Sequence, residues 1–286
     1  MSAAVIIVNY ESDGLLLNCL DALSHQSLTP QAVIVVDNHE EREAVTEFKK
    51  LFPHITFVTA GKNIGFAAAV NLGASRVSDV DFLALLNPDA SPEVNWLRAL
   101  VDAAEKNPDC GSFSSLMLNA DDSETLDGCG DLMHFTGVPW RVGHGQPRKN
   151  FDNAKAGRFS ACAGAALYRN KAWRRVGGFD ESYFMYIEDV DLGFRLRLLG
   201  YPCCFVPEAV VHHIGSATAG YRSDFSVYYG HRNLVWNYFK NMPWQLILIT
   251  FPFHVVMNLL TVIIFVLRGR SKVILKSKWD ALLGLP

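Results

Sequence analysis

The chain has 286 residues, enough for one or two domains whose core buries most of their apolar surface. Half of its residues are hydrophobic, 19% are charged and the mean hydropathy is +0.12, so some segment is expected to meet lipid or a large interface. A net charge of −3, from 26 basic and 29 acidic residues, makes no case for a nucleic-acid partner.

In chain order, "AAVIIVN" (3–9) is a continuous β-branched run that reads as a buried first strand rather than a signal segment, since it is short and has no basic flank. "LLLNCLDALSHQ" (15–26) has helical spacing, and "AVIVVDN" (32–38) is a second buried strand. A charged helix runs to about Lys50, followed by the strand "ITFVTA" (55–60), the small-residue helix "GFAAAVNLGASRV" (65–77) and the strand "DFLALLNPDA" (81–90). Short buried runs alternating with helices predict βαβ units around a mostly parallel sheet. Ligands bind such sheets beyond the carboxyl ends of the strands, and here those ends carry Asn9-Tyr10, Asp37-Asn38 and Asn87-Pro88-Asp89. The small-residue helix either packs closely on the sheet or lets a ligand approach its backbone; Asn63 and Asn71 favour the ligand. A helix (93–106) and the strand "CGSFSSLML" follow. The Gly/Asp-rich stretch 119–157 reads as a variable loop, after which a small-residue strand and a helix closed by Gly177-Gly178 lead into "DESYFMYIEDVDLGFRLRLLGY" (180–201). The six cysteines show neither CxxC nor zinc spacing and read as reduced thiols of a cytoplasmic protein.

No GxGxxG follows the first strand and no GxxxxGK[ST] occurs, which excludes the usual dehydrogenase and P-loop signatures. Instead "VIIVNY", "VVDN", "NIGFAAAVN", "LLNPDA", "GGFDESYFMYIEDVDLGFRLRLLGY" and "VVHHIGS" follow one another in the order and spacing of family-2 glycosyltransferases. The chain resembles that family over roughly 1–235, and within it the bacterial rhamnosyltransferases of O-antigen, lipopolysaccharide and other cell-surface polysaccharide assembly. The resemblance implies a GT-A fold, an α/β Rossmann-like nucleotide-diphospho-sugar transferase. It implies a catalytic domain over 1–215, with a nucleotide-sugar half (1–90) and an acceptor half (91–215). A C-terminal helical region (216–286) would follow.

The same resemblance distributes roles. Asp37 matches the aspartate that meets the nucleotide, with Asn9 and Tyr10 beside it, and Asn63 and Asn71 match positions near the nucleotide sugar. "NPD" stands where the family has a DxD metal motif, so Asn87 replaces the first aspartate and Asp89 is left as the charged ligand. One carboxylate with substrate phosphates suits Mg2+ or Mn2+. His212 matches a histidine that approaches metal or diphosphate, in preference to His213, although adjacent histidines at a strand end also serve as polar cover. Glu188-Asp189 match the "ED" motif, whose aspartate is the general base of inverting transferases; Glu188 would support it or the acceptor. Inversion needs one such carboxylate to take the acceptor proton as the hydroxyl attacks. Asp191, four residues before Arg195 near a helix start, is expected to serve the helix. Asp180 and Glu181 are either acceptor contacts or turn residues. Arg232, on a helix, would offset diphosphate charge.

"WQLILITFPFHVVMNLLTVIIFVLRGR" (244–270) is long enough to span a bilayer, but Pro252, His254 and Asn258 interrupt it. After it come Arg268, Arg270, Lys272, Lys276 and Lys278 with the single acid Asp280; a span would export this cluster from a cytoplasmic enzyme. Two apolar halves broken near Pro252, lying in the interface at 244–267 with the basic tail on anionic headgroups, are therefore expected at the cytoplasmic face of the inner membrane. Partners implied are a nucleotide-diphospho-sugar donor, with dTDP-L-rhamnose ahead of UDP-galactofuranose or a UDP-N-acetylhexosamine, and a polyprenyl-diphosphate-linked or glycan acceptor. A homo-oligomer is left open. The reading from another class is a non-catalytic membrane scaffold with a degenerate nucleotide pocket.

Overall fold

The computed structural model describes residues 1–151, 157–215 and 223–285. Strands β1 (Ala3–Asn9), β2 (Ala32–Asp37), β3 (Thr56–Thr59) and β4 (Phe82–Leu86) alternate with helices α1 (Asp13–Ser24), α2 (Glu43–Leu51) and α3 (Phe66–Ala74). β1 pairs in parallel with β2 and β4, and β2 with β3, so the polar ends of β1 and β2 stand side by side, Asn9 opposite Asp37. β1 is buried at every residue, which is why its sequence shows no alternation. Beyond them come β5 (Ala90–Pro92), α4 (Trp96–Lys106), β6 (Ser112–Asn119), β7 (Leu126–Gly128), β8 (Asp131–Met133), β9 (Pro139–Arg141), β10 (Ala165–Arg169), α5 (Asn170–Val176), α6 (Glu188–Leu198) and β11 (Cys203–His213).

Among the described residues the main sheet has nine strands, in the order β3-β2-β1-β4-β10-β6-β11-β5 with β7 added on β6. β10 runs antiparallel between β4 and β6, so the parallel N-terminal half continues into a mixed second half. One face is covered by α1, α2 and α4 through Leu16, Leu20, Phe48, Trp96 and Leu100. The other is covered by α3, α5 and α6 through Ala69, Val70, Trp173, Leu192 and Leu196. The small residues of α3 serve this packing, since a Cβ on Gly73 would lie 2.7 Å from Ile6 Cγ2. β8 and β9 form a separate hairpin.

Two expectations are corrected. Cys110 and Cys204 are joined by a disulfide across 94 residues, so not all six cysteines are reduced thiols. Cys204 sits opposite Phe113 in the β6–β11 pairing, near the start of β6, and Cys110 lies two residues before that strand. The other four cysteines are free and buried.

The second correction concerns the tail. α7 (Asp224–Asn241), α8 (Trp244–Leu267) and α9 (Ser271–Leu283) pack together, and α8 is one continuous helix with Pro252 inside it rather than two broken halves. Its polar residues face protein. His254 Nδ1 lies 2.7 Å from the Thr136 carbonyl and its ring stacks on Tyr238 at 3.8 Å. Asn258 Oδ1 accepts from Lys278 Nζ of α9 at 2.6 Å. The Thr250 hydroxyl bonds the Leu246 carbonyl at 2.8 Å, in the turn where Pro252 withholds an N–H. The expected boundary at 215/216 falls at the edge of 216–222, outside the described residues.

Asp191 joins the α/β body to these helices. Fully buried, it accepts from Arg195 Nη2 at 2.6 Å, as its spacing suggested, and also from Lys240 Nζ and Asn241 Nδ2 of α7, both at 2.8 Å. Removing one partner of a buried ion pair leaves the others uncompensated, which costs about 3–5 kcal/mol. Asp191→Ala should therefore lower the free energy of unfolding by roughly 3 kcal/mol or more in urea titrations, with a broad or split transition as α7 detaches.

Candidate functional site

At the ends of β1 and β2, Asn9 and Asp37 are each 1% exposed. Asn9 Nδ2 donates to Asp13 Oδ1 at 2.9 Å and to Asp37 Oδ1 at 3.4 Å. Arg42 binds both Asp13 oxygens and also pairs with Asp37, so a guanidinium balances the two carboxylates. Asn9 Oδ1 is buried without a hydrogen-bond partner, an acceptor aimed into this corner. Tyr10 is half-buried, its ring 5.7 Å from that of His39. Asn63 belongs to the same edge: its Oδ1 accepts from Asn38 Nδ2 at 3.1 Å and from the Gly65 N–H at 3.0 Å.

Asn71 does not join them. Its Nδ2 donates to the Phe179 carbonyl at 2.8 Å and to Glu181 Oε1 at 3.1 Å, and its Oδ1 accepts from the Phe179 N–H at 3.0 Å. These bonds tie α3 to the loop that precedes α6. Gly65, at φ 83°, lies so close to that loop that a Cβ would be 2.6 Å from Phe184 Cδ2.

Around the end of β4 the partner of Asp89 is His213 rather than His212. β11 alternates its side chains, so adjacent histidines leave on opposite faces. His213 Nε2 lies 3.1 Å from Asp89 Oδ1 and 3.3 Å from Asn87 Nδ2, while its Nδ1 is 2.9 Å from Asp127 Oδ2. His212 pairs instead with the half-exposed Glu93 at 3.3 Å. Burial alone would depress the His213 pKa, but its hydrogen bonds to Asp127 and Asp89 prevail and carry it up to about 9. Among the described residues no three His, Cys, Asp or Glu side chains are arranged to hold a metal by themselves. Asp89 with His213 offers one carboxylate and one imidazole, donors that would suit a divalent cation whose remaining ligands come from outside the protein.

The third part is the start of α6. Asp189 Oδ2 accepts from the Ala163 N–H at 3.2 Å and its Oδ1 from the Val190 N–H at 2.9 Å. The Gly164 carbonyl, next along, accepts from the Asn87 N–H at 2.9 Å, so residues 163–164 bridge the ends of β4 and α6. Burial, and then the charge of Asp131, raise the Asp189 pKa to about 6, while Arg141 and the two N–H groups restrain it. Arg141 itself binds Asp131 Oδ1 at 3.0 Å. Glu188 is 5% exposed, and its Oε2 is buried without a partner. Burial and the neighbouring Asp189 charge push its pKa far above the carboxylate range, so it stays protonated. Of the pair, Asp189 is the group that ionises near neutral pH.

Arg232, expected at the diphosphate, is engaged within the protein. Its Nη2 donates to the Ser182 and Tyr183 carbonyls, both at 3.0 Å, and its guanidinium stacks on Trp236 at 4.1 Å. Asp180 forms an ion pair with Lys240 at 2.6 Å and caps the Ser182 N–H. Sequence reading missed Asp13 and Arg42, and above all Asp127, Asp131 and Arg141 from the 119–157 stretch. The one available signal was "DGCGD", two aspartates four apart flanking two glycines, which also reads as turn chemistry.

The family model for Glycosyl transferase family 2 matches residues 4–176, and that for Glycosyl transferase family group 2 matches residues 152–275. Among curated proteins, the N-acetylglucosaminyl-diphospho-decaprenol L-rhamnosyltransferase of Mycobacterium tuberculosis is 29% identical over 75% of this chain and 76% of its own length. Rhamnosyltransferase WbbL of Escherichia coli strain K12 is 26% identical over 78% of this chain and 86% of its own. Among solved structures, GalNAc-T7 with UDP, GalNAc and Mn2+ matches 83% of the chain with a TM-score of 0.65 and 17% identity; the chain spans 47% of that protein. The mannosyltransferase PcManGT of Pyrobaculum calidifontis in complex with GDP-Man and Mn2+ matches 99% of the chain, over 75% of its own, with a TM-score of 0.60 and 17% identity. These likenesses show the GT-A fold.

Arg141 favours ionised Asp189, so Arg141→Gln should raise the pH at which Asp189 ionises from about 6. The acid limb of a sugar-transfer pH–rate profile should move upward accordingly; an unmoved or lowered limb would refute the coupling.

Proposed function

The chain belongs to glycosyl transferase family 2 and is a glycosyltransferase; we propose that it is an inverting enzyme that moves L-rhamnose from dTDP-L-rhamnose to a lipid-linked or growing surface-glycan acceptor. The observation that carries the inverting mechanism is Asp189, a carboxylate raised to about 6 at the mouth between the ends of β4 and α6. Rhamnose is supported by the relatives, rhamnosyltransferases at 29% and 26% identity. UDP-galactofuranose and UDP-N-acetylhexosamines are the rival donors.

The nucleotide lies at Asn9, Tyr10, Asp37 and Asn63, where the unpaired Asn9 Oδ1 is an acceptor for a base or ribose donor. The diphosphate lies toward Asp89, Asn87 and His213. A divalent cation, Mg2+ or Mn2+, held by Asp89 and His213 and completed by phosphate oxygens, would neutralise the charge of the leaving diphosphate. Without the cation, His213 is protonated and its charge stands against Asp89 in its place; ligation would release that proton. Ionised Asp189 takes the proton of the acceptor hydroxyl as its oxygen bonds to the anomeric carbon; the bond from that carbon to the diphosphate oxygen breaks on the opposite face, and the nucleoside diphosphate leaves. Neutral Glu188 adds no second negative charge beside the base. A non-catalytic scaffold would have no use for a carboxylate tuned in this way.

The C-terminal helices are the membrane contact. The outer face of α8 exposes Leu248, Ile249, Phe253, Val256, Leu259 and Ile263, and little of the helix is buried inside the protein. At about 36 Å the helix is long enough to cross a bilayer. Against crossing, Thr250 binds Tyr238 of α7, His254 binds Thr136 of the α/β body and Asn258 binds Lys278 of α9, and a span would carry those groups into hydrocarbon. We therefore place α8 in the plane of the cytoplasmic leaflet, with Arg268, Lys272 and Lys276 at anionic headgroups.

Asp189→Asn should lower kcat on the order of 10²–10⁴-fold while the donor still raises the melting temperature; full activity in that variant would remove the catalytic assignment. Ile249→Glu with Leu259→Glu should abolish flotation with vesicles of anionic phospholipid, and raising salt should weaken binding of the unmodified protein. Flotation unaffected by both changes would rule out α8 as the anchor.

A further inference from the structure

The loop that delivers Asp189 is held in an unfavourable conformation. Phe184, Tyr186 and Ile187 have φ of 65°, 68° and 70°, values that side-chain-bearing residues rarely adopt. Ile187 is the N-cap of α6, directly before Glu188 and Asp189. Three such residues in a span of four persist only where surrounding structure over-determines them.

That structure comes from α7. Asn233 is fully buried, and its Nδ2 donates to the carbonyls of Tyr183 at 2.9 Å, Met185 at 2.9 Å and Tyr186 at 2.8 Å. Arg232 Nε donates to Asn233 Oδ1 at 2.9 Å, which fixes the direction of the amide so that its N–H groups face the loop. The same arginine holds the Ser182 and Tyr183 carbonyls. From the opposite side the Ala67 N–H at the start of α3 donates to the Phe184 carbonyl at 3.2 Å. Every carbonyl from Ser182 to Tyr186 is therefore engaged, and a loop that would relax to ordinary dihedrals is clamped in one shape.

We infer that Asn233, oriented by Arg232, is a positioning residue for the reaction: it holds the left-handed loop 183–187 so that Asp189 meets the Ala163 N–H and the acceptor hydroxyl. This rests on the reading of Asp189 as the base. It assigns Arg232 to the clamp rather than to the diphosphate, and makes α7 a working part of the catalytic site.

The test uses the full chain with steady-state sugar transfer at a temperature well below unfolding. Asn233→Ala should lower kcat on the order of 10²-fold with the donor KM within about threefold, because misplacing a reacting group slows the chemical step while the nucleotide corner stays intact. Asn237→Ala removes another buried amide from the same helix, one whose Oδ1 accepts from Asn241 and which makes no hydrogen bond to the loop. It should lower the melting temperature with little loss of kcat; equal kcat losses in the two variants would overturn the inference. Should Asn233→Ala fail to fold, Arg232→Lys carries the test. It breaks the carbonyl bonds and frees the amide, and should lower kcat by about tenfold at unchanged donor KM. A raised donor KM with intact kcat would return Arg232 to the diphosphate and overturn the clamp.

In an Asp189→Asn background, Asn233→Ala should add little further loss, since it acts through the residue already removed; additive losses would overturn the inference. The two readings fail differently. An active Asp189→Asn enzyme sinks the base itself, whereas an inactive Asp189→Asn beside a fully active Asn233→Ala sinks only the clamp.

Discussion

A carboxylate withdrawn from water must meet cations or donors, or it takes up a proton, because its unpaired burial costs several kcal/mol. This constraint sorts the acids around the sheet's carboxyl edge. Asp37 has Arg42, Asp191 has Arg195 and Lys240, and Asp89 and Asp127 share His213. Glu188 has an unpartnered oxygen and stays protonated. Asp189 lies between these outcomes. Two backbone N–H groups and a shared guanidinium are too little to hold it fully ionised, and enough to keep it from staying neutral. A base needs that intermediate state, since a carboxylate fully satisfied by an ion pair has lost its affinity for a proton.

The parts legible in the sequence are those whose physics is local. β1, β2 and β4 are buried on both faces, so uninterrupted apolar runs announce them, and the polar residues that close β1 and β2 and follow β4 mark the edge where the candidate site lies. Asp191 was assignable from its i to i+4 spacing to Arg195, although its bonds to Lys240 and Asn241 were not, because these cross 49 and 50 residues. His213 was passed over for His212 because a two-residue alternation decides which histidine faces Asp89, and neighbouring residues give no sign of its phase. Asp127, Asp131 and Arg141 come from short strands in which aspartate and glycine are as much turn chemistry as site chemistry. The Cys110–Cys204 bond depends on the β6–β11 pairing, a contact between segments that share no local pattern.

Pro252, His254 and Asn258 carry the same lesson for the tail. In a linear reading they interrupt an apolar stretch and argue for a break. In three dimensions His254 and Asn258 turn inward, to the Thr136 carbonyl and Lys278, and the outward face remains apolar. A helix that is apolar throughout must be surrounded by lipid or core, whereas one with inward-facing polar groups has a partner on one side and an apolar medium on the other.

The two halves of the molecule therefore meet in α7. On one side Asn233, Arg232 and Lys240 reach into the catalytic domain; on the other, Ser277 Oγ bonds the Tyr228 carbonyl at 2.9 Å and Trp236 Nε1 bonds the Ala281 carbonyl at 2.9 Å, fixing α7 against α9. The base proposed at Asp189, held by this helix, would share one rigid element with the surface that would rest on lipid. For an acceptor tethered to a membrane, this removes a degree of freedom: the height of the hydroxyl and the height of the base are set by the same helices. Orientation supplied in this way lowers the entropy lost in bringing the two reactants together, which is where a transferase acting at a surface differs from one that meets both substrates in solution.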